Sequence, residues 1–370
     1  MRRIIIALIL LLYISGPALA MDERAILDLQ AEAAGVDELE KAVPDGAREL
    51  LDGTNLGVWT NFDDALRQIF GNLMGRLGGV FHQAARSAAT VMVIAVLVGL
   101  VGSLYEESGG IVPDVAPLVG VLAVAGVAVG ASYAFIGLGA ETLRELEAFS
   151  KALFPAMAAA GAAGGAFTSA AVKYAGTILF LDILLTLTTR VIMPLIYAYI
   201  AASVGNAALG GAGLRAVTNL LKWVIGVLIT VVMIAFVSYI TVTGVVSGSV
   251  DVLTTRVAKA TISTVLPVVG GIVADAAESV MAGAMLVRNG IGVIGLLVVL
   301  AVCLVPILQL GAHYLMFKAA AGVSGAVTDK RIGGLIGDLG TAFGMVMGLT
   351  GAGMMMLFFS IISMMRMMIR

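Results

Sequence analysis

Residues 290–317 read GIGVIGLLVVLAVCLVPILQLGAHYLMF, a run without a single Asp, Glu, Lys or Arg. The hydrocarbon core of a bilayer is about 30 Å thick, and about 20 apolar residues of helix cross it. This run is long enough, and comparable runs occupy 88–104, 115–138, 174–200, 222–246 and 337–364. Two more stretches, 153–172 and 265–287, are rich in Gly and Ala, carry a proline near their start (Pro155, Pro267) and are only moderately apolar. Either they span, or they enter and leave on one side. The pattern predicts an all-α polytopic membrane protein, with about 6–8 transmembrane helices in residues 87–370.

Composition points the same way. Apolar residues make up 60% of the chain and charged residues 12%, with a mean hydropathy of +1.05. Soluble domains carry about 25% charged residues, so most of this exterior is expected to face membrane lipid. A net charge of −2 leaves no basic footprint for nucleic acid. The single cysteine, Cys303, excludes an intrachain disulfide, and His82 and His313 match no metal-ligand spacing. No GxxxxGK[ST], HExxH, GxSxG or Rossmann glycine pattern occurs. Neither an enzyme nor a cofactor or metal site is expected.

The N-terminus has a different texture. Arg2 and Arg3 precede a short apolar stretch, Ile4 to Ile14, and Pro17-Ala18-Leu19-Ala20 offers small residues for cleavage. These are the parts of a secretory signal, and the apolar stretch is too short for a first span. Residues 1–20 are expected to be removed, which starts the mature chain outside the cytoplasm. Residues 21–86 hold twelve acidic and six basic side chains, a balance that suits an exported region. Within them Phe62, Leu66, Ile69, Phe70, Leu73, Leu77, Val80, Phe81 and Ala84 recur at helical spacing. Asn61 is placed to cap that helix, with Asp63 and Asp64 in its first turn. An amphipathic helix on the membrane or against the spans is predicted.

A faint repeat runs through the rest. Pro155 and Pro194 are 39 residues apart, as are Pro267 and Pro306. In each copy a Gly/Ala-rich segment ends in a basic residue, Lys173 or Arg288, before a long apolar run. The copies would cover 151–262 and 263–370, although low-complexity membrane sequence aligns easily with itself. If each copy crosses three times, the two are inverted relative to one another, the arrangement in which Gly/Pro-broken segments line a transporter's site. Loop charge decides little. The 105–114 loop carries Glu106, Glu107 and Asp114 without a basic residue, and Lys330 and Arg331, just after Lys318, mark the best cytoplasmic loop.

Lone charges in the runs are the candidate functional residues. Asp182 and Arg190 are eight residues apart, about 80° around a helix. An ionised side chain at mid-bilayer costs on the order of 2.5–3.5 kcal/mol, so both are expected to face the bundle interior. An interhelical ion pair, a snorkelling end residue and a transport role all remain open. Asp275 and Glu278, at i and i+3, share one helix face. They are candidates to bind a cation, relay protons or meet a basic subunit, unless they form the solvated face of a peripheral helix. Small-xxx-small patterns (Gly71/Gly75/Gly79, Gly126/Gly130, Gly161/Gly165, Gly244/Gly248, Gly340/Gly344/Gly348) suit close helix packing. The Met-rich end, Met345 to Met368, suits an adaptable helix surface.

Arg256-Val-Ala-Lys259, Pro267-Val-Val-Gly270, Asp275-Ala276, Leu286-Val-Arg-Asn289 and Gly292-Val-Ile-Gly295 resemble the stage III sporulation protein AE family of endospore-forming bacteria. Gly164-Gly-Ala-Phe-Thr-Ser169 is similar to that family's Gly-Gly and Thr/Ser stretch. The resemblance implies a multi-pass protein of the mother-cell membrane around the forespore. It would work with other stage III A sporulation proteins and, indirectly, with a forespore-made partner, in an assembly described as a channel or secretion-like complex. It marks Arg256, Lys259, Pro267, Gly270, Arg288 and Asn289 as family-like residues and brings no catalytic signature. A homo-oligomer stays open. The alternative reading is an independent secondary transporter of inverted-repeat type.

The signal segment sets a first test. Intact mass of the membrane-extracted protein is expected to lack residues 1–20 and to begin at Met21; a retained N-terminus would make that segment an anchor.

Overall fold

The computed structural model describes residues 29–53, 61–107, 115–265 and 270–366, without the side chains at 102–107, 115–117, 128–129, 131–133, 244–265 and 270–279. The signal segment 1–20 and Pro267 lie outside the described residues. Two short helices, α1 (Val36–Lys41) and α2 (Asp45–Arg48), precede long ones: α3 (Phe62–Glu107), α4 (Val115–Ala163), α5 (Phe167–Leu187), α6 (Met193–Leu209), α7 (Ala212–Val265), α8 (Gly270–Val327) and α9 (Lys330–Met365). A π turn at Thr188–Ile192 joins α5 to α6. No strand occurs among the described residues. Five stretches are long and apolar enough to cross a membrane: Phe62–Val101, Phe167–Leu209, Ala212–Thr243, Val280–Val327 and Lys330–Met365. A shorter apolar stretch, Leu118–Val127, lies in α4.

The helices run through boundaries that apolar runs alone suggest. The amphipathic 62–86 segment and the 88–104 run form one helix, α3, with no proline to interrupt it. Asn61 starts it as expected, accepting from the Asp63 N–H (3.3 Å) and donating to Asp64 (2.9 Å). Helix α4 carries the charged stretch 141–151 in its middle. The charges fall at helical spacing and pair along the helix, Arg144 with Glu141 (3.2 Å) and Lys151 with Glu147 (2.7 Å), which supports continuity. Pro194 has no N–H to donate and crowds the preceding turn. It sits directly after the π turn, whose wider winding takes up that mismatch.

Neither Gly/Ala-rich stretch makes a crossing of its own. Residues 153–163 are the far end of α4, residues 164–166 turn back, and α5 begins at Phe167. Gly165 takes the left-handed conformation (φ 84°) that this reversal needs. Leu153, Phe154, Met157, Ala160, Ser169 and Ala170 are buried, so one face of the hairpin packs into the bundle, while Pro155, Ala159 and Phe167 are exposed. From Gly270 onward, the 265–287 stretch is the beginning of α8.

Packing contacts fix the direction of every long helix. Lys173 of α5 reaches Ser363 near the end of α9, while Gly210, after α6, faces Arg331 at the start of α9. The α5–α6 unit is therefore antiparallel to α9. Helix α8 is antiparallel to α9 as well, since Gly292 faces Met365 and Gly325 faces Gly333. Helices α4 and α7 run with α9: Gly120 faces Ile332, Gly139 faces Val346 and Leu153 faces Gly295 and Ile361, while Tyr239 of α7 donates to the Val172 carbonyl (2.7 Å). Six rods result, alternately descending and ascending, with α9 touched by α3, α4, α5, α6, α7 and α8. The windows 151–262 and 263–370 thus each contain one descending unit and one ascending helix, in the same order.

At the upper end the N-terminal segment folds onto α3. Asn72 donates to the Leu50 carbonyl (3.0 Å), Gln68 to that of Asp52 (3.0 Å), and Arg76 pairs with Glu49 (2.7 Å). Leu39, Ala47 and Leu50 are buried there with Ile69. Gln30 extends the contact to the Val280 carbonyl of α8 (3.3 Å).

Glycine is used unevenly. A Cβ on Gly333 would lie 2.8 Å from the Gly325 Cα, and one on Gly353 would strike Leu143. Gly340 and Gly344 lie under Phe317 and Tyr314, whereas Gly71, Gly75, Gly79, Gly126, Gly130 and Gly348 face open space. Gly333→Leu is expected to destabilise the α8–α9 contact by about 1–3 kcal/mol through overpacking. Gly334→Leu, whose Cβ meets nothing within 4 Å, is expected to be near neutral. Thermal unfolding of the two variants in one detergent checks the difference.

Candidate functional site: polar groups within the helix bundle

A helix leaves its last carbonyls without intrahelical partners, and α9 ends against the packed upper part of the bundle. Two cations serve that end. Lys173 Nζ donates to the Ser363 carbonyl (2.7 Å) and an Arg288 guanidinium nitrogen to the Met365 carbonyl (2.8 Å). Both residues are buried, at 6% and 1% exposure. Cations are favoured at a helix C-terminus by its dipole, and here they come from α5 and α8, on different sides of α9. One turn below, Thr177 and Ser360 share a buried hydrogen bond (2.7 Å). The basic residues that mark the two proline-spaced copies thus converge on one helix end.

A second group holds the lower half of α9. Tyr199 of α6, itself buried, donates to Asp338 (3.2 Å). Lys318 of α8 donates to the Gly337 carbonyl and to Thr341 (2.7 Å each), with the Tyr314 ring centroid 6.0 Å away. Lys222 of α7 is close enough to act on Lys318 electrostatically, as is Asp338. A carboxylate, a phenol and two ammonium groups from four helices are the kind of set that can hold an ion or pass a proton, although most of these bonds end on α9 itself. Sequence reading placed Lys318 beside a loop. The structure puts it inside α8, nine residues before the helix ends at Val327. Nothing in the local pattern singled out Asp338 or Tyr199.

Between these groups lies His313, 1% exposed, among the rings of Phe135, Phe317 and Phe343. Its Nδ1 is 2.8 Å from the Gln309 carbonyl, which can only accept, so Nδ1 carries the hydrogen. Nε2 is buried without a hydrogen-bond partner among the described residues. No group of three or more His, Cys, Asp or Glu able to hold a metal ion occurs among the described residues.

The residues picked from sequence are scattered. Asp182 and Arg190 do not face the interior; both are exposed, and neither makes a hydrogen bond or ion pair among the described residues. The buried face of α5 is instead taken by Lys173, Thr177, Leu181 and Leu184, and continues into the π turn at Thr188. Asp275 and Glu278 belong to the first turns of α8, and Arg256 and Lys259 to the upper extension of α7. The side chains of these four lie outside the described residues. Gly270 is the first residue of α8, and Asn289, next to Arg288, buries its Oδ1 without a hydrogen-bond partner.

A family model described as stage III sporulation protein AE matches residues 58–367. The stage III sporulation protein AE of Bacillus subtilis (strain 168) is 24% identical over 188 residues, covering 51% of this chain and 47% of that relative. The alignment therefore spans about half the length of the curated protein. No solved structure matches the chain.

The two caps give a direct test. Arg288→Met keeps the bulk, removes the donor and leaves a buried carbonyl unsatisfied, at a cost of about 1–3 kcal/mol. Faster proteolysis at the C-terminal end of α9 is expected, with Lys173→Met acting in the same direction. A double variant more stable than the sum of the two singles would show that they serve one helix end.

Proposed function

The chain belongs to the stage III sporulation protein AE family, and from that premise we propose that it is the large multi-pass component of a stage III A sporulation assembly. In this reading it resides in the mother-cell membrane around the forespore and forms part of a secretion-like conduit or its membrane platform. It works there with other stage III A proteins and, indirectly, with a forespore-made partner. The carrying observation is the family match over 58–367, joined to a bundle in which five stretches are long and apolar enough to cross a membrane. The role is non-enzymatic: the buried polar groups described above are engaged mainly in holding helices together. The cleaved signal and the exported acidic region belong to the same proposal.

The transporter reading draws less support. An inverted repeat would give the two windows opposite directions, and here both run down and then up. Asp275 and Glu278 remain the acidic pair proposed to serve the assembly, from the first turns of α8, Asp275 within a family-like block and Glu278 by its spacing from it. Replacing them with Asn and Gln keeps their shape and removes their charge. Sporulation is expected to arrest after engulfment while the protein still accumulates in the membrane. Normal spore yield from the double variant would remove the pair from the proposal. Affinity purification from sporulating cells is expected to recover other assembly members, and solute transport by the purified chain alone would favour the transporter.

A further inference from the structure

One flank of the bundle is charged where it is expected to be apolar. On α4, Glu141, Arg144 and Lys151 are exposed and Glu147 partly so; on α5 and the π turn, Asp182 and Arg190 are exposed. Asp182 and Arg190 lie well inside Phe167–Leu209, a stretch long and apolar enough to cross a membrane. Ionised groups facing lipid there are costly, and such residues normally find partners in protein or water.

The arrangement of signs identifies the cover. Helices α4 and α5 fold back on each other through the turn at 164–166. Asp182 is near enough to Lys151 to act on it electrostatically, so these two share a level. Ten residues back along α4 is Glu141, and eight residues on from Asp182 is Arg190, rises of about 15 Å and 12 Å. At the upper level Lys151 of α4 stands at the height of Asp182 on α5, and at the lower level Glu141 at the height of Arg190, while each α4 charge is also paired along its own helix with Glu147 or Arg144. Two copies inserted the same way in one membrane are related by an axis along the membrane normal. Such an axis on this flank sets α4 of one copy against α5 of the other at equal height. Opposite charges then meet at both levels.

We propose that this α4–α5 flank joins two copies of the chain about such a two-fold axis. Lys151, already paired with Glu147, gains Asp182 of the second copy, and Glu141, already paired with Arg144, gains Arg190. The face itself carries three acids and three bases, with the half-buried Glu145 beside Glu141 at its edge.

Two differently tagged full-length chains, both Cys303→Ala, test the proposal when co-expressed, one carrying Ala148→Cys and the other Thr186→Cys. Both positions are exposed on this face at one level. Oxidation in membranes is expected to yield a cross-linked dimer carrying both tags, whereas Val231→Cys, exposed on α7, is expected to yield none. Purified protein in nanodiscs is expected to show twice the chain mass. Lys151→Asp and Asp182→Lys are each expected to lose the dimer, and the double variant to regain it. Matched melting of the single variants separates lost pairing from misfolding. A single-chain mass without cross-linking would overturn the proposal. So would full labelling of both cysteines by a membrane-impermeant maleimide, which would place the face in water, or their cross-linking only to another protein.

Discussion

Everything in the upper half of the bundle depends on how the end of α9 is satisfied. Carbonyls at a helix terminus need donors, and in a membrane protein water is not there to supply them. Lys173 and Arg288 do so from two neighbouring helices, each burying a charge to reach one backbone oxygen. Burying these cations is tolerable because the helix end is the negative pole of the dipole. The same bonds fix the heights of α5 and α8 relative to α9. Once those heights are set, Thr177 meets Ser360 and Gly292 meets Met365.

The opposite end of α9 is fastened by different chemistry. Asp329 caps it, accepting from the Arg331 N–H (2.8 Å). Slightly higher, Tyr199 and Lys318 hold Asp338, Gly337 and Thr341. Between the two ends the packing is apolar, with the His313 ring enclosed by phenylalanines. Glycines at 333, 340, 344 and 353 let neighbours approach closely along the length of the helix. Lipid offers no hydrophobic gain for helix association, so polar bonds at both ends and tight contact between them carry the cohesion. The charged α4–α5 flank stands apart from that scheme.

Sequence reading located the apolar runs because lipid demands them, and the stretches long and apolar enough to cross a membrane overlap those runs. It did not find where helices begin and end. Apolarity reports the solvent around a segment and not where its helix stops: α3 has no proline at its change of polarity, and α4 continues through Pro155. The two Gly/Ala-rich stretches looked like separate units because composition changes there; among the described residues the first folds back at Gly165 and the second opens α8 from Gly270. Asp182 and Arg190 were placed in the interior on energetic grounds. Which side they take is decided by the neighbours of α5, and Lys173 and Thr177 hold the inner face. The basic residues closing the two proline-spaced segments stood out in the sequence. Their shared target is nearly two hundred residues away from Lys173, and no local pattern announces a partner at that range.

The central position of α9 bears on the order in which the chain is made. It is the last of the described helices to leave the ribosome, yet all the other long helices pack on it. Until it arrives, Lys173 lacks the Ser363 carbonyl, Arg288 that of Met365, and Tyr199 the Asp338 carboxylate. The earlier helices then surround a slot lined by small residues and unsatisfied polar groups, which lipid fills poorly. Multidomain chains generally fold domain by domain, the N-terminal one first, during synthesis, whereas the described helices of this bundle complete their packing only once α9 has joined them. Its biogenesis therefore passes through a half-assembled state that lasts until α9 is inserted.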